Sequence, residues 1–131
     1  MRRRVREARV ARLATIEPDG SVHLVPCTFA LEADTVYSAV DHKPKTTRRL
    51  RRLRNIERDH RVTLLVDHYA DDWAQLWWIR LHGEAAVAGA GPALEEAIEL
   101  LAAKYPQYRE RPPEGPAIVI RVTGWRGWSA T

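Results

Sequence analysis

The chain has 131 residues, 45% of them hydrophobic and 29% charged, with 21 Lys and Arg against 17 Asp and Glu and a formal net charge of +4. That length gives one domain, residues 1–131, with core enough to fold unaided, and the composition excludes a wholly disordered chain. The lone cysteine, Cys27, excludes a disulfide framework and points to a reducing cytoplasm, and no apolar run is long enough to span a bilayer.

The basic start MRRRVREARVARLA lacks the apolar stretch of a signal peptide, and residues 5–10 read as a short helix or an arm. Residues 11–16 and 21–29 are apolar-alternating runs on either side of Glu17-Pro18-Asp19-Gly20. There Pro presets φ and Gly accepts a positive φ, so a hairpin is expected. After a break at Glu32-Ala33-Asp34, residues 35–40 supply a third strand of a meander.

Within residues 41–61, DHKPKTTRRLRRLRNIERDHR, the span from Lys43 to Arg61 holds nine Lys or Arg against two acids, Glu57 and Asp59. Thr46 or Thr47 can cap a helix running to about Arg58, with Leu50, Leu53 and Ile56 forming a narrow apolar stripe. A helix start preceded by Lys43, Lys45 and two threonines offers backbone N–H groups, hydroxyls and ammonium groups to an anion, and arginine adds bidentate forks matched to phosphate. A solvated basic face and a nucleic-acid-binding face are the competing readings of the same run. The helix itself lacks the aromatic residues that nucleic-acid binding favours, so no nucleic-acid partner is expected. The N-terminal segment has too few large apolar residues for membrane-surface binding, and no membrane partner is expected either.

Residues 62–69 read as a strand, Asp71-Asp72 as a turn, and residues 75–87 as a long strand interrupted at Gly83, where a bulge is expected. Residues 92–105 form the clearest helix, with Pro92 in its first turn, Glu95 and Glu96 early and Lys104 late, and Leu94, Ile98 and Leu101 turned inward. Residues 109–116 read as a polar, Pro-rich loop, and residues 117–125 as a last strand. Strands dominate and short turns join most of them. The expected fold is therefore mainly β with inserted helices, an antiparallel barrel or sandwich.

Few residues announce chemistry. His23, His42, His60, His68 and His82 show no metal-binding spacing, and no nucleophile motif or carboxylate pair is present, so no catalytic residue is assigned and no metal is expected. His42 lies beside Lys43, and His68 follows a buried run that can end at a pocket mouth. Adjacent Trp77 and Trp78 point to opposite faces of their strand, one packing inside and one meeting something outside.

The runs RLATIEPDGSVHLVPCTFAL and VYSAVDHKPKTTRRLRRLRNIERDHRVTLLVDHYADDWAQLWWIRLHGEAAV resemble the split β-barrel flavin and deazaflavin oxidoreductases, related in fold to pyridoxamine 5′-phosphate oxidase. They are most similar to the actinobacterial branch of probable coenzyme F420-dependent enzymes. The resemblance implies an antiparallel split barrel, a homodimer with two interfacial cofactor grooves, and a small unsaturated or quinone-like substrate. It places the cofactor phosphate on Lys43, Lys45, Thr46, Thr47 and Arg51 or Arg52, and the ring against Val25, Pro26, Cys27 and Thr28. Trp77 or Trp78 would come from the partner subunit. FMN is the alternative cofactor, and a non-catalytic carrier of the cofactor is the alternative role. Such enzymes need few acid–base residues, because the cofactor carries the hydride.

Overall fold

In the computed structural model, which describes residues 1–40 and 47–131, seven antiparallel strands form one curled sheet in the order β2-β1-β5-β6-β7-β4-β3. The strands are β1 (Ala11–Ile16), β2 (Val22–Cys27), β3 (Ala30–Glu32), β4 (Thr35–Ala39), β5 (Arg61–His68), β6 (Trp77–Ala88) and β7 (Ala117–Ser129). Helices α1 (Arg2–Glu7), α2 (Thr47–Arg58), α3 (Pro92–Lys104) and α4 (Pro106–Glu110) accompany the sheet. No described helix is long and apolar enough to cross a membrane.

Alternation sets the two faces. Leu13, Leu64, Val66, Ile79 and Leu81 point inward, are nearly inaccessible, and join Phe29, Val36, Ile118 and Ile120 in the main core. Val5 anchors α1 on this core, and Leu53 and Ile56 anchor α2. The expected apolar stripe of α2 is thus seen at those two positions. Leu50 lies outside the described side chains.

The β1–β2 hairpin, the helix ending at Arg58 and the expected bulge match the sequence reading, and the β6–β7 register shifts between His82 and Gly83. A Cβ at Gly83 would lie 2.6 Å from the Arg121 carbonyl oxygen and 2.8 Å from Ile120 Cγ2, so only glycine permits this approach.

Several expectations are corrected. The first helix is Arg2–Glu7, because Val5 is its one buried residue and Val10 is exposed. The run expected as one strand to residue 29 ends at Cys27, and after Thr28 and Phe29 the chain enters β3, a three-residue strand too short for a periodic pattern. Part of the expected Pro-rich loop belongs to α4, which begins at Pro106, where the missing N–H costs nothing. β7 runs on to Ser129, since its Gly-rich end pairs residue by residue with β6. In α3 it is Ala97 and Leu101 that are buried, while Leu94 and Ile98 are half-buried.

One buried polar pair ties α2 to the sheet. Asn55 is 2% exposed and its Nδ2 donates to Thr15 Oγ1 at 3.1 Å, while Asn55 Oδ1 accepts from Arg58. Asn55→Leu would strand a buried hydroxyl and displace Arg58, so urea unfolding should show a loss of about 2 kcal/mol.

Candidate cofactor site

β2 is an edge strand, so alternate backbone N–H and C=O groups face away from β1 and are left for other partners. Just past its end, three other elements converge. Ser38 of β4 donates to the Thr28 carbonyl at 2.8 Å, and Lys104 Nζ of α3 donates to the Phe29 carbonyl at 2.9 Å. Tyr105 OH accepts from Phe29 N–H at 3.1 Å and donates to the Arg9 carbonyl at 2.9 Å. Tyr108 OH of α4 pairs with Thr28 Oγ1 at 2.9 Å. These bonds fix the chain where β2 leaves the sheet.

Cys27 lies at this convergence on the inner face, half-buried against the core. Burial pushes its thiol pKa up, opposed by the Arg52 charge, a Ser38 hydrogen bond and the Lys104 charge. Cys27 is therefore a neutral packing thiol, not an activated nucleophile. Of the two candidate arginines, Arg52 is half-buried and its charge is felt at Cys27, whereas Arg51 is exposed and lies 3.8 Å from Glu17 at the hairpin turn.

Lys104 was read from sequence only as a late helical cation. Its ammonium lies 3.8 Å from the Phe29 ring centroid, and its pKa falls to about 8, through desolvation first and the nearby Arg9 charge second. The folded pKa is lower than the ordinary 10.5, so the unfolded chain holds the proton more tightly between about pH 8 and 10.5. The burial penalty is full below pH 8 and is relieved as pH rises through that window. Relative to Lys104→Met, the wild type should gain about 1–2 kcal/mol from pH 7.5 to pH 10 after allowance for solvent screening, read by urea titration at each pH.

A cavity of about 490 Å³ opens beside Thr28, bounded by Arg9, Tyr105, Pro106, Gln107 and Tyr108. A second, of about 530 Å³, lies along the β1–β2 turn between His23 and Arg51. His23 Nδ1 is buried there with no hydrogen-bond partner among the described residues. An orphaned buried nitrogen on the edge strand, beside the arginines of α2, fits an arriving oxyanion or polar ring atom.

The structure gathers some of the sequence-predicted residues and leaves others out of view. Val25 and Cys27 face inward from β2, Pro26 faces outward, and Thr28 borders the first cavity. Thr47 begins α2, while Lys43, Lys45, Thr46 and His42 lie outside the described residues. Trp77 packs against the core and stacks on His68 (6.2 Å, 21°), and Trp78 pairs with Trp128 on the outer face. Sequence reasoning did not assign Arg9, His23, Lys104, Tyr105 or Tyr108 to the site. Only the fold brings Arg9, Lys104, Tyr105 and Tyr108 to the end of β2, while His23 stands near the start of that strand. Among the described residues no group of three His, Cys, Asp or Glu could hold a metal.

No curated protein matches the chain in sequence. A conserved hypothetical protein of Mycobacterium tuberculosis superposes with a TM-score of 0.74 at 22% identity, covering 96% of this chain and 80% of that one. The heme storage protein HutZ of Vibrio cholerae gives 0.69 at 13% identity, covering 95% and 89%. An FAD-binding protein of Mesorhizobium loti gives 0.66 at 17% identity, covering 96% and 87%. These likenesses show the fold, an antiparallel curled half-barrel with a few helices. The family described as pyridoxamine 5′-phosphate oxidase matches residues 1–129, and the chain belongs to that family.

Proposed function

We propose that the protein is an oxidoreductase that binds coenzyme F420 along β2, with the ring against Val25–Thr28 and the phosphate toward Lys43, Lys45, Thr46, Thr47 and Arg52. The observation that carries the reading is the convergence of β4, α3 and α4 on the open end of an edge strand, where the Arg52 charge is felt at Cys27, with an orphaned His23 nitrogen further back along the same strand. When bound, the deazaflavin supplies the hydride acceptor or donor. The protein's share is positional. Thr28 and Phe29 are clamped by Ser38, Lys104 and Tyr105, Arg52 offsets anionic charge, and the apolar inner face excludes water from one side.

The cavity of about 490 Å³ next to Thr28 is the natural berth for a small unsaturated or quinone-like substrate, with Tyr108, Thr28, Gln107 and Arg9 as polar contacts. A second copy of the chain would cover the outer face of the sheet. There Val22, Leu24 and Leu65 are 65%, 62% and 36% exposed, an unusual apolar load for a free sheet face. In that homodimer Trp78 of one protomer would approach the partner's cofactor.

FMN is the second reading, favoured by the FAD-binding protein that shares the fold. F420 suits this chain better, because it adds a phosphodiester and an acidic tail that the arginines of α2 can meet. Fluorescence titration of the purified protein with F420, against parallel FMN titration, tests the assignment. The expected result is saturation at micromolar F420 with weaker FMN binding. Tighter FMN binding would transfer the assignment to FMN, and saturation by neither would remove the function.

A further inference from the structure

The cavity beside Thr28 has a chemically one-sided wall. Arg9, Thr28 and Tyr108 bring hydrogen-bond donors to it, and no Asp or Glu stands among its described lining residues. Tyr105 also lines it, but its hydroxyl is spent on backbone, accepting from Phe29 N–H and donating to the Arg9 or Phe29 carbonyl. Tyr108 is different. Among the described residues its hydroxyl meets only Thr28 Oγ1, at 2.9 Å. In such a pair one hydroxyl donates and the other accepts, so the accepting partner keeps its own O–H proton for a ligand.

Arg9 is held at the cavity wall with donors to spare. Its Nη1 donates to the Lys104 carbonyl at 3.0 Å, where α3 ends, and its guanidinium carbon lies 5.7 Å from the Tyr105 ring centroid. That bond uses one of five N–H donors. Among the described residues no carboxylate is bridged to Arg9 or to Lys104, and the two cations are close enough for the Arg9 charge to help lower the Lys104 pKa. An anion against Arg9 relieves that repulsion. The Lys104 ammonium is already engaged by the Phe29 carbonyl and ring, so the cavity presents one guanidinium, matched to one negative charge. Pro106 and the rings of Tyr105 and Tyr108, set edge to face at 5.7 Å and 69°, make the rest of the wall flat and apolar.

We infer that this cavity selects a planar monocarboxylate, an aryl or conjugated enoic acid, with its carboxylate on Arg9 and its flat body against the tyrosine-lined wall. The Thr28–Tyr108 hydroxyl pair supplies a neutral donor to a second oxygen. The inference narrows the substrate class of the proposed function and rests on that reading for the cavity's role, while binding itself needs no cofactor.

Cinnamate is the probe and cinnamamide its neutral counterpart, both titrated calorimetrically into cofactor-free protein at constant ionic strength. Cinnamate is expected to saturate at one site per chain and to bind at least tenfold tighter than cinnamamide. Arg9→Gln should weaken cinnamate at least tenfold and leave cinnamamide within threefold, a split that a merely structural loss does not give. Arg6→Gln, which removes an exposed charge outside the cavity, should change neither. Tyr108→Phe keeps the ring beside Tyr105 and should weaken cinnamate about fivefold, a second check that does not depend on the folding of the Arg9 variant. Equal binding of the two probes, equal weakening in Arg6→Gln, or full cinnamate binding by Arg9→Gln would overturn the inference. F420 saturation without cinnamate binding would overturn it and leave the cofactor assignment standing, and cinnamate binding without F420 saturation would do the reverse.

Discussion

Replacing Arg52 by Gln should weaken F420 binding by about 30-fold, roughly 2 kcal/mol of charge-assisted contact, while Arg51→Gln should change it less than threefold. The two side chains are sequence neighbours with the same charge, so composition predicts equal effects. Geometry separates them. Arg52 bears on Cys27 at the end of β2, and Arg51 is drawn to Glu17 at the hairpin. Because Arg52 is half-buried, its replacement also has a packing consequence, and the melting temperature of the variant must be read beside its affinity. A loss of affinity with a melting curve near wild type marks a ligand contact. Equal losses for both arginines would mean that the helix acts only as a diffuse positive field.

Gly83→Ala should be the most damaging single-methyl change in the protein, costing about 3 kcal/mol or more. The added carbon would meet backbone, the Arg121 carbonyl, as well as the Ile120 side chain, so no rotamer change relieves the clash. β6 and β7 form the longest pairing in the sheet, from Trp77↔Ser129 to Ala88↔Ala117, and Gly83 sits at its register shift. Against a typical domain stability of about 5–15 kcal/mol, such a loss should lower the melting temperature by about 10 °C. Gly20→Ala provides the contrast. It has a positive φ but no atom near the added carbon, so about 1 kcal/mol of backbone strain is expected.

The sheet was legible in the sequence where local chemistry is strong. Pro18-Asp19-Gly20 between alternating runs is a hairpin, Gly83 marks a bulge, and Leu53 and Ile56 mark the buried side of α2. The reading failed where pairing overrides local preference. Gly124 and Gly127 discourage a strand in isolation, yet β7 passes through both because β6 supplies a partner. β3 and α4 are too short for periodicity to announce.

For the proposed site, the family resemblance supplied residues 25–28 and the residues themselves suggested the basic helix start. Sequence could not supply Lys104 or Tyr105, whose bonds to Phe29 span 75 and 76 residues. Nor could it choose between Arg51 and Arg52, because they are like-charged sequence neighbours that are separated by tertiary surroundings, Glu17 for Arg51 and partial burial for Arg52.

The central claim is that the cofactor lies along β2 and toward α2. Backbone amide spectra of labelled protein, recorded with and without saturating F420, test this placement directly. The account predicts shifts concentrated at residues 23–29 and 43–52, with Lys104 and Tyr108 following. Shifts confined to other strands, or an unchanged spectrum at saturating cofactor, would contradict it.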